Sequence, residues 1–435
     1  MGNNRKGNRS TRRYQSAVVV GFVVLAVGLS ASCAQYKAPT ILPAIAPRFG
    51  LDADASAWVM SIFTLMSIFF ALPAGGMAQR FGFKKVMLAS SALIVIGSAI
   101  GLLAGNNSVV LIVSRAIEGI SLTFITTCAP IAIQRCVNPT KIGIATGIWG
   151  CWGNGGAVIA SVLTPHLFGI AGFEGVWVFF AVVAAVAALL LLFLVREPET
   201  AAKAESDSEM IPDEEAANLN ARAGGGVDAD ASRNDGSVAD AHDTGRYREL
   251  LTPNVALFMG GFVGMNIIML AILGLLPSVL QLPEKGFSME MSGFATTFAS
   301  LLSLVSTPLF GTLATKVGRI KPLLVLTLAV LGPCVLVLYT QTGVLFWAAA
   351  TLLGAIGFGC VGLLIAAWME IIPRPQLVAK GMGVLTLMQG IGQFLGTFLV
   401  QMLLGTNLEG WGIAGVVLCA IGVAGAVCVA FARFK

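Results

Sequence analysis

The sequence predicts an all-α polytopic membrane protein with twelve transmembrane helices in two six-helix halves. Hydrophobic residues make up 56% of the chain and charged residues only 11%, whereas about 25% of the residues in a soluble domain are charged. Apolar runs recur at about the 20-residue length that crosses a ~30 Å hydrocarbon layer. The predicted spans are 16–46, 55–74, 86–105, 108–134, 142–169, 175–195, 254–282, 290–312, 322–340, 343–370, 379–404 and 411–432.

The chain divides around a polar segment between the sixth and seventh spans. Residues 196–250 hold fourteen of the twenty-two carboxylates, a composition that buries too little apolar surface to fold. We therefore predict a basic amino-terminal segment (1–15), an amino-terminal half (16–195), a disordered acidic linker (196–250) and a carboxyl-terminal half (251–435).

The basic residues predict the orientation of these spans. If the amino terminus is cytoplasmic, 23 of the 27 lysines and arginines lie on the cytoplasmic side, and only Arg48 and Lys285 lie outside. This bias follows the positive-inside rule. It predicts an inner (plasma) membrane protein with both termini in the cytoplasm, and it explains the net positive charge without nucleic acid.

A short basic motif occurs twice, each time after the second span of a half. Gly75 to Lys85 and Gly311 to Lys321 both read glycine, three residues, a polar residue, a cation, an apolar residue, glycine, and further cations. The offset of 236 residues indicates a duplicated unit, and the glycines suit a tight turn. The residues of this predicted turn are Gly75, Gln79, Arg80, Gly82, Lys84 and Lys85, with Gly311, Thr315, Lys316, Gly318 and Arg319 in the second copy.

With these features the chain resembles the major facilitator superfamily. The basic loops match the signature loop of that family, and Arg115 to Gly119 resembles its Arg-x-x-x-Gly motif. The loop departs from the family where Gln79 and Thr315 replace an aspartate. The resemblance implies alternating access, a cavity lined by helices 1, 4, 7 and 10, and a loop that latches the cytoplasmic side. For Gln79 it implies a weaker charge-dependent latch, the alternative being a basic turn without a gating role.

Three charged residues lie well inside predicted spans, away from the ends of those spans. Lys37 lies in helix 1, and Arg115 and Glu118 lie in helix 4. Each such residue is costly in hydrocarbon and calls for an explanation. One hypothesis is that Lys37 and Arg115 bind an anionic substrate while Glu118 exchanges a proton. The alternatives are that Arg115 and Glu118 neutralise each other and staple helices, and that Lys37 extends to the surface.

Neutral side chains supply the other candidates for substrate binding. Pro39 and Pro43 bend helix 1 beside Lys37, which opens backbone groups toward a cavity. Helix packing is the competing interpretation for the amides and the tryptophans. The candidates are Tyr36, Trp149, Asn154, Asn266, Gln389 and Gln393.

The function predicted from these features is secondary active transport of a small organic or inorganic anion, with protons as a possible coupling ion. One alternative is efflux of amphipathic drug-like compounds, against which Cys151 and Trp152 interrupt the helix-5 glycine pattern of family exporters. Another is a receptor or scaffold that no longer transports. Neither a catalytic constellation nor a metal cluster is apparent in the sequence, so we predict no enzyme activity and no cofactor. The expected partners are a small-molecule substrate and the lipid bilayer, with the protein as a monomer.

Overall fold

The computed structural model describes residues 14–197, 252–317, 319–371, 378–405 and 409–434. Within these ranges it does not describe the side chains at 53, 79, 139, 143, 308, 311, 312, 315, 316, 365, 366, 369, 370 and 378–380. The predicted linker between 198 and 250 and most of the basic amino-terminal segment therefore lie outside the described residues. Five residues of the predicted turn are also not fully described. Gly318 lies outside the described residues, and the side-chain positions of Gln79, Gly311, Thr315 and Lys316 are not described.

The described chain crosses the bundle twelve times. Ten runs are long and apolar enough to span a membrane, and one of them, Ile144–Leu194, has 51 residues. That run is two spans, because Gly172 breaks the helix with a φ of 65°. The 29-residue helix Met289–Val317 supplies the remaining span. The prediction of twelve transmembrane helices is confirmed.

In chain order, span 1 is Ala17–Tyr36 with Leu42–Phe49, span 2 is Ala53–Phe81, span 3 is Phe83–Leu102 and span 4 is Ser108–Cys136. Span 5 is Ile142–Trp149 with 152–171, and span 6 is 173–194. Span 7 is Pro253–Leu270 and Leu276–Leu280 joined by a π-helical turn, span 8 is Met289–Val317 and span 9 is Ile320–Thr340. Span 10 is Gly343–Ala355 with Cys360–Ile371, span 11 is Val378–Leu404 and span 12 is Trp411–Phe431.

The first basic motif is mostly helix and not a turn. Span 2 continues through Gly75 to Phe81, span 3 begins at Phe83, and Gly82 alone separates them with a φ of 83°. A left-handed φ is readily available only to glycine, so one residue reverses the chain. The second copy is similar, with helices ending at Val317 and beginning at Ile320.

Span 1 breaks where its prolines predict a bend. The first helix ends at Tyr36, a 3-10 turn covers Pro39–Ile41, and a second helix starts at Leu42. Proline has no N–H to donate four residues back, so Pro39 leaves the carbonyl of Gln35 without a helical partner. This carbonyl becomes part of the site described below.

The bundle has two ends, which we call the terminal end, where Ala17 and Phe431 lie, and the distal end, where Phe49 and Leu280 lie. Each half has its own apolar core. The halves meet where span 2 packs on span 11 and span 5 packs on span 8. Of the described cations other than Lys37 and Arg115, Arg48 and Lys285 lie at the distal end. At the terminal end lie Arg80, Lys84, Lys85, Arg135, Lys141, Arg196, Arg319, Lys321 and Arg433.

The distal end is closed by direct contact between the halves. A buried cluster there combines Tyr36 and Ile41 of span 1 with Leu270 and Leu273 of span 7. The Gln281 side chain donates a hydrogen bond to the carbonyl of Thr40 at 3.2 Å. On span 11, the buried polar residues Gln393, Thr397 and Gln401 lie toward the distal end, whereas Thr386 and Gln389 toward the terminal end are half-buried. The two halves are thus packed tightly at the distal end of the bundle.

A surface ion pair joins two distal elements of the amino-terminal half. Arg48 Nη2 lies 2.6 Å from Glu174 Oε1, with 36% and 52% of the side chains exposed. Both side chains are thus substantially exposed to solvent, which screens the attraction between their charges.

Glu174→Gln is therefore expected to have little effect on stability. Solvent screening limits such an exposed pair to at most about 1 kcal/mol. Thermal unfolding of the purified protein in detergent at neutral pH should show only a small decrease in melting temperature. A large loss at neutral pH would contradict this assignment.

Candidate functional site

Glu118 binds two cations at the centre of the amino-terminal half. Its Oε1 lies 2.6 Å from Lys37 Nζ, and its Oε2 lies 2.6 Å from Arg115 Nη1. Arg115 and Glu118 are three residues apart on span 4, which places them on one face of the helix. We call Lys37, Arg115 and Glu118 the charged triad. All three side chains are essentially inaccessible to solvent, at 0–1% exposure.

Each member of the triad has further partners. Ser98 of span 3 donates to Glu118 Oε1 at 2.6 Å and accepts from Lys37 Nζ at 3.0 Å. The Lys37 ammonium also lies 4.4 Å from the centre of the Trp177 ring in span 6. Carboxylate, hydroxyl and aromatic face together match the three N–H donors of an ammonium.

Arg115 is held by the break in span 1. Its Nη2 donates to the carbonyl of Gln35 at 3.0 Å, and its Nη1 donates to the carbonyl of Ala34 at 2.5 Å. The carbonyl of Gln35 is the one that Pro39 leaves free. The guanidinium also lies 4.6 Å from the Phe63 ring centre in span 2, while its Nε has no partner. The bend in span 1 therefore supplies acceptors for a buried arginine.

The triad lies inside one half of the protein. Its partners come from spans 1, 2, 3, 4 and 6, which all belong to the amino-terminal half. One hypothesis from the sequence placed Lys37 and Arg115 at a central cavity with Glu118 as a proton-exchanging partner, and the alternative paired Glu118 with Arg115 alone. In the structure Glu118 is shared, and Lys37 points toward spans 3 and 6. One carboxylate against two cations leaves one positive charge in excess.

The contacts that cross between the halves use neutral groups. Gln35 Nε2 donates to Gln393 Oε1 at 3.3 Å, and Asn154 Nδ2 donates to Ser303 Oγ at 2.7 Å. Asn154 Oδ1 is buried without a partner. The candidate amides Asn154 and Gln393 therefore meet the opposite half directly.

The other neutral candidates occupy separate places. Tyr36 is buried in the distal cluster, and Asn266 donates to the carbonyl of Phe262 on its own helix at 2.9 Å. Trp149 stacks on Trp152 with ring centres 6.1 Å apart, and Trp149 Nε1 is buried without a partner. Gln389 lies half-buried on span 11. The structure thus brings Lys37, Arg115 and Glu118 together and distributes the neutral candidates over several helices.

At the terminal end, the first basic motif contacts the end of span 6. Lys84 Nζ donates to the carbonyl of Leu192 at 2.9 Å. A Cβ at Gly82 would lie 2.5 Å from Glu197 Oε1 and would displace that carboxylate, so the positive φ is the stronger requirement for glycine there. Gly75 has open space around it, and Arg80 lies over Phe81 with 5.5 Å to the ring centre. The motif packs on span 6, and Glu197 brings a carboxylate to it.

Several residues of the site are not evident from the sequence. Ser98 is one serine among many in apolar runs, and Trp177 and Phe63 are ordinary aromatic residues of a span. Gln35 shows no pattern that predicts its contact with Gln393. Charge balance is the one available signal, because Glu118 is the single carboxylate well inside a predicted span and must therefore serve both cations.

Comparison with known proteins agrees with this architecture. The crystal structure of a D-xylose–proton symporter superposes with a TM-score of 0.66 at 14% identity, covering 94% of this chain and 97% of that chain. A putative metabolite transport protein of Bacillus subtilis is 26% identical over 415 residues, which is 89% of this chain and 85% of that protein. A methyl viologen resistance protein of Salmonella typhimurium is 25% identical over 163 residues, 36% of this chain and 32% of that protein. The chain thus matches only about a third of that relative's length.

The twelve spans in two halves define a polytopic transporter fold. The sequence profile described as Major Facilitator Superfamily matches residues 20–397 and 286–435. The chain therefore belongs to the major facilitator superfamily, and it is a multi-pass membrane protein.

Proposed function

We propose that this protein is a secondary active transporter of amphipathic organic solutes, which moves them by rocking its two halves. The observation that carries this proposal is the sealing of Lys37 and Arg115 inside one half, while the contacts between the halves join amides, a hydroxyl and the rings of Trp58 and Phe398. Such groups suit a solute that is mostly apolar with a few hydrogen-bonding atoms. This proposal reverses the order of the two transport hypotheses drawn from the sequence.

The positive-inside bias supports a cytoplasmic terminal end. With that orientation, the tight distal packing corresponds to a state closed to the outside. The names of two relatives also support an organic solute as the substrate. One is a methyl viologen resistance protein, and another is a major facilitator superfamily multidrug transporter of Aspergillus fumigatus, 28% identical over 160 residues, 36% of this chain and 30% of that protein.

A small anion is the second candidate substrate. The observation that favours it is the excess positive charge of the triad, which an anion would neutralise. For that binding to occur, the sealed contacts of Lys37 with Glu118 and Ser98 would have to open. The loss of those contacts weighs against the anion and makes it the second candidate.

A ligand screen tests the proposal. We expect chloramphenicol, a neutral amphipathic compound, and ethidium, an amphipathic cation, to raise the melting temperature of the purified protein, and benzoate, succinate and phosphate to have no effect. A ligand present at 100 times its dissociation constant stabilises the folded protein by about 2.7 kcal/mol. A shift in the melting temperature detects a change of this size. The stabilising compound should then cross the membrane of proteoliposomes that contain the protein.

The controls separate the competing functions. Lys37→Met should retain the stabilisation, because the proposed solute does not contact Lys37. Stabilisation by the anions alone, abolished in Lys37→Met, would establish the anion hypothesis instead. Binding without any flux in proteoliposomes would favour a receptor with a transporter fold.

A further inference from the structure

The charged triad has a charge imbalance that only certain protonation steps can relieve. With all groups ionised, Glu118 carries one negative charge and Lys37 and Arg115 carry two positive charges, so the net charge is +1. A proton added to Glu118 would raise the buried charge to +2, whereas a proton removed from Lys37 would lower it to zero. Arginine does not lose its proton in proteins. Since buried charge is costly in hydrocarbon, the favourable step is the loss of a proton from Lys37.

The hydrogen bonds lead to the same residue. Both oxygens of Glu118 already accept hydrogen bonds from cations, and Oε1 also accepts one from Ser98. A proton on Glu118 would have to replace one of these donors. The Lys37 amine, in contrast, retains Ser98 and Glu118 as neighbours after it loses a proton.

We infer that Lys37, and not Glu118, is the group that binds and releases the coupling proton. This inference deepens the proposed function and rests on it. The Nζ–H bond breaks with its electron pair remaining on nitrogen, and the proton passes to water on the side to which the site is then open. Glu118 stays ionised throughout and remains paired with Arg115. The contacts described above fit the protonated form, because a hydroxyl, a carboxylate and an aromatic ring surround Lys37 Nζ.

The titratable and charged groups that face Lys37 come from each element packed against it. Span 4 contributes Glu118 and Arg115, and span 1 itself contributes the Cys33 thiol. Spans 3 and 6 contribute Ser98 and the Trp177 ring, which do not titrate in the physiological range. Loss of a proton from either Lys37 or Cys33 would bring the site to neutrality, but the Cys33 thiol donates to the carbonyl of Gly156. A Cys33 thiolate would face that carbonyl oxygen without a donor, so Lys37 is the member of this set that releases the proton.

Two contacts connect the proton site to the distal closure. Lys37 directly follows the first helix of span 1, and its backbone N–H donates to the carbonyl of Cys33 at 2.9 Å. The next residues, Ala38 and Ile41, belong to the cluster that closes on Leu273 of span 7. We expect the loss of the ammonium contacts to release this segment.

The second contact passes through Gln35. Its carbonyl accepts from Arg115, and its side chain donates to Gln393 in the other half. A change in the triad that moves span 1 therefore acts on a hydrogen bond between the halves. Release of the proton is expected to open the distal end.

A distance measurement tests the inference without knowledge of the substrate. Spin labels at Asn106→Cys and Thr342→Cys, which are exposed positions at the distal end of opposite halves, report the opening. In this background the half-buried Cys151, Cys419 and Cys428 are replaced by serine. The distance between the labels should lengthen as pH rises in the wild type. Lys37→Arg, which keeps its charge, should remain short at every pH, and Lys37→Met should remain long.

The outcomes separate the inference from the function on which it rests. A pH-dependent lengthening that persists in Lys37→Arg overturns the inference, and so does a wild-type distance that does not change with pH. Glu174→Gln is the matched control, since it alters a distal carboxylate outside the triad and should keep the wild-type profile. If Lys37→Arg loses the pH-dependent lengthening, the result supports the inference even when proteoliposomes show no flux. That combination would refute the proposed transport and leave the assignment of the proton to Lys37 intact.

Discussion

Glu118→Gln is expected to prevent the protein from accumulating in a stable folded form. The substitution removes the one carboxylate that contacts Lys37 and Arg115 and leaves two unpaired positive charges, with the side chains no more than 1% exposed. Breaking a buried ion pair by removing one partner costs about 3–5 kcal/mol. A typical protein has only about 5–15 kcal/mol of stability in total, so this loss is a large part of it. The measurement is the yield of monodisperse protein after detergent extraction and its melting temperature.

Lys37→Met is the matched control for Glu118→Gln. It removes one cation and leaves Arg115 and Glu118 as a neutral pair, with the Arg115 contacts to span 1 intact. Replacement of buried charge by an apolar group of similar volume is often neutral or stabilising. We expect Lys37→Met to extract and melt like the wild type. Equal stability of Glu118→Gln and Lys37→Met would contradict the charge balance assigned to the triad.

The spans were predictable because their signal is local. An apolar run of about 20 residues predicts a crossing regardless of what it packs against, and the twelve predicted runs correspond to the twelve spans. The boundaries were less predictable. Gly75 and Gly76 favoured a turn in the sequence, but the helix continues through them to Phe81. Two glycines weaken a helix without ending it, and only the left-handed φ at Gly82 reverses the chain.

The triad was predictable only in part. The three-residue spacing of Arg115 and Glu118 predicts their contact, and the structure contains it. Lys37 and Glu118 lie 81 residues apart in the chain, and their contact depends on how span 1 is rotated about its axis. That rotation is set by packing and by the break at Pro39, which no sequence period reports. The roles of these residues in binding and proton transfer stay predictions.

The glycine of the Arg-x-x-x-Gly motif has a packing explanation. Gly119 lies where span 4 crosses span 2, and a Cβ at Gly119 would contact the carbonyl oxygen of Phe63 and lie 2.7 Å from its Cα. These are backbone atoms within a helix, so they cannot turn aside as a flexible side chain would. The glycine thus brings the Phe63 ring under the Arg115 guanidinium, 4.6 Å away.

Gly119→Ala is expected to lower the melting temperature, because overpacking a well-packed contact costs about 1–3 kcal/mol, and Gly119→Leu is expected to abolish folding. Gly169→Ala is the matched control, since a Cβ at Gly169 meets no atom within 4 Å, and its melting temperature should stay near that of the wild type. The two alanine variants differ only in what faces the new methyl group. Equal melting temperatures for both would show that spans 2 and 4 do not approach at Gly119. A selective loss at Gly119 would show that the arginine of the motif is positioned by the glycine one turn further along.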